Sequence, residues 1–91
     1  MSLHPKMRQQ LKAKAHSLKP VVMLGNQGLT DAVSLEINRA LNDHELIKVK
    51  IATHDRELRN QLFATITESL GAELVQAIGH IGVLYRKNIT D

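Results

Sequence analysis

Ninety-one residues make one domain and leave no room for a second, and a chain of this size buries about 60 to 65% of its unfolded surface. Without cysteine it has neither a disulfide framework nor a cysteine zinc site. No apolar run approaches the roughly 20 residues of a membrane span, and no signal-like apolar segment opens the chain, so a cytoplasmic protein is expected. The formal charge of +3 conceals an asymmetry: Lys6, Arg8, Lys12, Lys14 and Lys19 fall in residues 1–20 with no acid, while the remainder holds seven basic and nine acidic residues. A basic end on a near-neutral body is the electrostatic footprint of a polyanion partner, although the same cations would also serve as a solvated helix face.

In chain order, Pro5 suits the first position of a helix that the spacing carries to about Ser17, because its missing N–H would be unpaired there. Met7, Leu11, Ala15 and Leu18 form one apolar stripe, with Arg8 and Lys12 a turn apart on its flank and His16 continuing their row. Lys19 follows before Pro20 ends the helix. Val21 to Leu24 is an apolar run that reads as a short strand covered on both faces. Gly25-Asn26-Gln27-Gly28 then turns the chain, both glycines being free to take positive φ. Thr30 is a good N-cap, and Asp31 places a negative charge in the first helical turn. Such a junction presents unpaired N–H groups and a partial positive charge, which suit a phosphate. A lone GxxG is also common in plain strand-to-helix turns, and without GxGxxG spacing or GKS/T it gives no support to mononucleotide chemistry.

The second helix is expected from Asp31 to Asn42, with Val33, Ile37, Ala40 and Leu41 inward and His44-Glu45 in the connection that follows. In the second strand, Leu46 to Ala52, Ile47, Val49 and Ile51 alternate with Lys48 and Lys50. Two lysines on an open sheet face can meet phosphates, and they can equally keep that face soluble. Thr53 or Asp55 caps a third helix to about Leu70, with Leu58, Leu62, Ile66 and Leu70 inward, Phe63 beside them and Gly71 at the C-terminal turn. A hairpin closes the chain: Glu73 to Ile78, a Gly79 to Gly82 turn, then Val83 to Arg86. The order α-β-α-β-α-β-β predicts a single compact α/β domain. Two crossovers would supply parallel strand pairs and the hairpin an antiparallel one, in a four-stranded mixed sheet.

Groups for catalysis do not converge. His44-Glu45 and His54-Asp55 lie at opposite ends of the second strand, roughly 30 Å apart when extended. No HExxH, DxD or Gly-x-Ser-x-Gly occurs, and a metal-dependent nuclease built on His54-Asp55 would need carboxylates from elsewhere. No catalytic residue, metal ligand or cofactor is assigned, and an enzyme is not expected. Phe63 reads as core and Tyr85 stands alone, so aromatic base stacking has no platform, and a nucleic acid would be held by its phosphates and shape.

Over about residues 5–87 the chain resembles the small bacterial YhbY-type proteins, whose domain occurs in plants as the CRM (chloroplast RNA splicing and ribosome maturation) domain. The matching segments are Leu18-Lys19-Pro20 through Gly25-Asn26-Gln27-Gly28-Leu29-Thr30, then Glu45-Leu46-Ile47-Lys48-Val49-Lys50, and Leu84-Tyr85-Arg86. The resemblance implies a fold similar to the C-terminal domain of bacterial translation initiation factor three. It also implies RNA binding through the GxxG loop and nearby basic residues, with precursors of the large ribosomal subunit as the bacterial target and group II introns as the plant one. Carried onto this chain, the loop function falls on Gly25, Asn26, Gln27 and Gly28, with Thr30 capping the helix behind them. Many plant domains have basic residues within the loop where this chain has Asn26 and Gln27, which moves weight onto Arg8, Lys12, Lys19, Lys48 and Lys50. The helix-to-strand Gly-Gly common in those domains is Gly71-Ala72 here. The expectation is one non-enzymatic, monomeric RNA-binding domain over residues 1–91 that binds ribosomal RNA in large-subunit precursors, with ribosomal proteins as further partners. The alternative is an assembly factor that docks mainly on protein.

Overall fold

The computed structural model describes residues 3–88, so residues 1, 2 and 89–91, the ends of the expected domain, lie outside the described residues. Its elements are α1 (Pro5–Ala15), β1 (Pro20–Leu24), α2 (Asp31–His44), β2 (Leu46–Ile51), α3 (Arg56–Leu70), β3 (Glu73–Ile78) and β4 (Ile81–Tyr85), in the order expected. The four strands form one mixed sheet, ordered β1-β2-β4-β3. Only β1 and β2 pair in parallel, while β4 is antiparallel to both β2 and β3. The second crossover thus yields no parallel pair. It passes one strand position beyond β2, and the tight β3–β4 turn folds β4 back into the gap.

Both faces of the sheet carry apolar side chains, but their cover is unequal. On one face, α2 and α3 bury Val22 and Leu24 of β1, Ile47, Val49 and Ile51 of β2 and Leu84 of β4 beneath Ile37, Leu41, Phe63 and Ile66. On the other, α1 alone packs Leu11 and Ala15 against Val75 and Val83, flanked by Met7, Leu46 and Tyr85. β1 is therefore an edge strand covered on one face, not two: Val22 and Leu24 are buried, whereas Val21 and Met23 face solvent. Two residues expected in helix stripes are also exposed. Leu18 lies beyond the end of α1, and Leu58 precedes the part of α3, from Leu62 onward, that meets the sheet.

Local chemistry explains the element ends. Thr30 and Asp55 cap α2 and α3 by accepting from the N–H of Val33 (3.2 Å) and Leu58 (3.1 Å), and His4 caps α1 by accepting from Lys6 N–H. Helix α2 runs on through His44, leaving Glu45 as the single linking residue, at φ +62°. That strained backbone is held by three bonds: its N–H donates to Leu41 O, its own carbonyl accepts from Arg86 N–H, and its carboxylate accepts from Asn88 N–H. The hairpin turn is only Gly79-His80, since Ile78 pairs with Ile81 and Gly79 alone has positive φ. Gly82 belongs to β4, where the Phe63 ring lies so close that a Cβ would run into it.

The far ends of α2 and α3 are tied by one side chain. The Arg86 guanidinium donates to Asn38 Oδ1 (2.8 Å), Asn38 O (3.1 Å), Asn42 Oδ1 (2.7 Å) and Leu70 O (2.9 Å). A cation at two helix C-termini meets both negative dipole ends and satisfies a terminal carbonyl of α3. Replacing it leaves several acceptors without a donor. Arg86→Met is expected to lower stability by about 2–4 kcal/mol in urea denaturation, whereas Lys87→Met, at an exposed position, stays within about 0.5 kcal/mol.

Candidate nucleic-acid interface

The loop after β1 closes with a hydrogen bond from Gly28 N–H to Gly25 O (3.0 Å), and Gly28 adopts φ +71°. Gly25 does not take positive φ, so of the two expected permissive positions only Gly28 needs glycine for its backbone. A Cβ at either would meet no heavy atom within 4 Å, so the outer side of the loop is open. The Gly28 N–H is engaged within the turn, and those of Val33 and Ser34 are engaged by Thr30. Among the described residues, the N–H groups of Asn26, Gln27, Asp31 and Ala32 have no protein acceptor, and all four residues are exposed. This is the N-terminal donor set of a helix, extended backwards into the loop.

Strand register places this loop at the end of the sheet where β2 runs out and the β3–β4 turn lies. Leu24 lies opposite Ile51, and Ala52 N–H donates to Leu24 O (3.0 Å). Ile51 N–H donates in turn to His80 O (2.8 Å), while the His80 ring holds Ile51 O through Nδ1 (2.9 Å). A carbonyl only accepts, so that nitrogen carries the proton and Nε2 faces away from the bond. The His54 ring meets His80 edge to face at 5.3 Å. The glycine loop, the start of α3 and two imidazoles therefore gather at one end of the sheet, although sequence distance separates them. Among the described residues, no three His, Cys, Asp or Glu side chains form a metal-binding group.

The basic residues distribute around α1. Lys12, His16 and Lys48 line a hollow of about 240 Å³ between α1 and the sheet, together with Gln76, Ile78, Ile81 and Val83, and no acid lines it. Lys48 also donates to Leu18 O (2.9 Å), fastening the α1–β1 connection to β2. Lys50 is exposed on the same face one step closer to the loop, paired with Met23 on one side and Ile81 on the other. Arg8 lies apart from these. Its guanidinium donates to Leu74 O and Val75 O (both 2.9 Å), where an extra residue in β3 breaks the ladder. Lys19 is on the opposite flank of α1, bordering a second hollow with Lys14, Leu18, Val21, His44 and Glu45.

The structure thus joins what sequence order left separate. Because α1 covers only part of its face, the uncovered sheet between α1 and the glycine loop forms a continuous surface that carries Lys12, Lys48 and Lys50. The residues that sequence reasoning did not place there are Met23, Ile78 and Ile81, together with His54 and His80 at its end. The alternation of β1 was the available signal for Met23, but an uninterrupted Val-Val-Met-Leu run conceals alternation.

A four-stranded mixed sheet, three helices, a glycine loop opening a helix and an open basic sheet face together define a small α/β binding domain. The chain matches the CRS1 / YhbY (CRM) domain over residues 3–86. It is 54% identical over 85 residues to a protein of Haemophilus influenzae named RNA-binding protein, a match covering 93% of this chain and 86% of that one. It is 44% identical over 88 residues to a Pseudomonas aeruginosa protein named as a probable RNA-binding protein, covering 97% of this chain and 85% of that one. Among solved structures, a hypothetical protein of Staphylococcus aureus superposes with a TM-score of 0.85 at 30% identity, covering 99% of this chain and 94% of the other. The chain belongs to the CRS1 / YhbY (CRM) domain family.

The loop geometry separates its two glycines. Gly28→Ala is expected to cost about 1–2 kcal/mol in urea denaturation because of its positive φ, while Gly25→Ala, with open space and no such φ, stays within about 0.5 kcal/mol.

Proposed function

We propose that this protein is a non-enzymatic RNA-binding module that grips the RNA backbone and acts on precursors of the large ribosomal subunit. The observation that carries the reading is the shared surface: free N–H groups at the start of α2 stand at one end of a sheet face whose other border is the cationic side of α1. In this reading Gly25 and Gly28 allow close approach, and the N–H groups of Asn26, Gln27 and Asp31 hold phosphate oxygens, with Thr30 fixing the helix start. Lys12, Lys48 and Lys50 contact further phosphates across the sheet, while Lys19 and Arg8 add attraction at its margins. The names of the Haemophilus and Pseudomonas relatives support RNA as the ligand. The family's link to ribosome maturation supports ribosomal RNA as the particular target, with ribosomal proteins nearby.

Backbone recognition has a salt signature. If about five phosphates of a single strand are engaged, log affinity should fall with log salt at a slope near −3.5, and a slope near zero would contradict the reading. The Asn26→Asp, Gln27→Asp double variant should weaken RNA binding about tenfold or more through repulsion at the loop, with its melting temperature within a few degrees of wild type. Unchanged affinity in that folded variant would remove the loop from the interface.

The cellular target has a separate test. In a lysate gradient the native protein should sediment with large-subunit precursors, and both ribonuclease and raised salt should release it. Sedimentation only as a free small protein under all conditions would exclude the ribosomal target while leaving RNA binding to be judged by the affinity measurements.

A further inference from the structure

The uncovered sheet face is not simply basic. Across the four strands, the register sets Met23, Lys50, Ile81 and Ile78 side by side in one row. Met23 is 61% exposed and Ile78 is 63% exposed, on the two edge strands, with the exposed Lys50 between them. A protein of this size normally turns such side chains inward or replaces them with polar ones at sheet edges. The same row is continuous with the hollow lined by Lys12, His16 and Lys48, which contains no acidic side chain. The face therefore alternates apolar surface with positive charge, and its complement must alternate apolar surface with negative charge.

Resting on the RNA-binding reading above, we infer that this row selects unpaired RNA, with the ring faces of unstacked bases lying on Met23 and Ile78 and an intervening phosphate on Lys50. Met23 and Ile78 are separated by three strand spacings, about 14 Å, so the two apolar ends take separate bases. A duplex cannot meet this arrangement. Its ring faces are stacked against one another, and the deep, narrow major groove of A-form RNA does not admit a sheet. Only a strand with splayed bases offers apolar faces and phosphates together. Aliphatic side chains take the place of the aromatic platform that the sequence lacks, contributing contact area without preference for a particular base.

The test compares binding of a labelled single strand of about ten nucleotides with the same strand annealed to its complement, at several salt concentrations. Wild type should prefer the single strand. The Met23→Ser, Ile78→Ser double variant should bind the single strand about fivefold more weakly at an unchanged salt slope, with little change on the duplex, because apolar contact is lost and phosphate contacts are kept. Met23→Phe should tighten single-strand binding by enlarging the stacking surface. Thermal melts monitored by circular dichroism establish that the variants fold. A folded double-serine variant that binds single strands as tightly as wild type would overturn the inference while leaving RNA binding intact. The same result accompanied by loss of a wild-type dimer would assign the face to a second copy of the chain. Failure of wild type to bind either RNA would overturn both this inference and the reading on which it rests.

Discussion

A sheet has two faces, and this chain supplies unequal cover for them. Helices α2 and α3 close one face around Phe63, Ile66, Ile37 and Leu41, whereas the 11-residue α1 must serve the other alone. A helix rises about 1.5 Å per residue, so α1 is about 16 Å long and roughly 10 Å wide, too small to cover four strands. The part it leaves bare is the part adjoining the glycine loop. The candidate interface is a direct consequence of that shortfall, since Lys50, Met23 and Ile78 would be interior positions under a longer helix.

The covered face provides the rigidity against which the open one works. The Phe63 ring packs closely against Gly82, which holds α3 near β4, and Arg86 binds the ends of α2 and α3 together. Fixing α2 at its C-terminal end also fixes the direction in which its N-terminal N–H groups point. Backbone donors aimed in advance lose little entropy on binding an anion, and cationic side chains nearby add range without needing a single geometry. Arg8 and Lys48 contribute to the same rigidity, since each uses hydrogen bonds to main-chain carbonyls to seat α1 and its connection on the sheet.

Much of this was legible in the residues. Periodicity placed the three helices and β2, the apolar run before Gly25 placed β1, Thr30 marked the start of α2, and alternation put Lys48 and Lys50 on one face. What escaped was long-range. The β1 run of Val21 to Leu24 has no polar residue to mark its solvent face, so its edge position became visible only with the strand order. Gly82 looked like a turn residue because glycine serves turns and close packing equally, and only the Phe63 ring distinguishes them. Arg86 and Arg8 are cations like the others in sequence, yet their partners are 16 to 67 residues away. His54 and His80 meet across 26 positions through the pairing of β2 with β4, a relation that no local spacing encodes.

The central claim is that the glycine loop and the cationic flank of α1 bind one RNA strand across the sheet between them. Amide chemical-shift mapping during titration with a short single-stranded RNA tests it most directly, because every element reports at once. The account predicts that perturbations concentrate at Asn26, Gln27 and Asp31, continue through Met23 and Lys50, and reach Lys12, while exposed positions of α2 and α3 such as Arg39 and Glu68 remain unchanged. Perturbations centred on those outer helix surfaces, or confined to α1 with none at the loop, would contradict it.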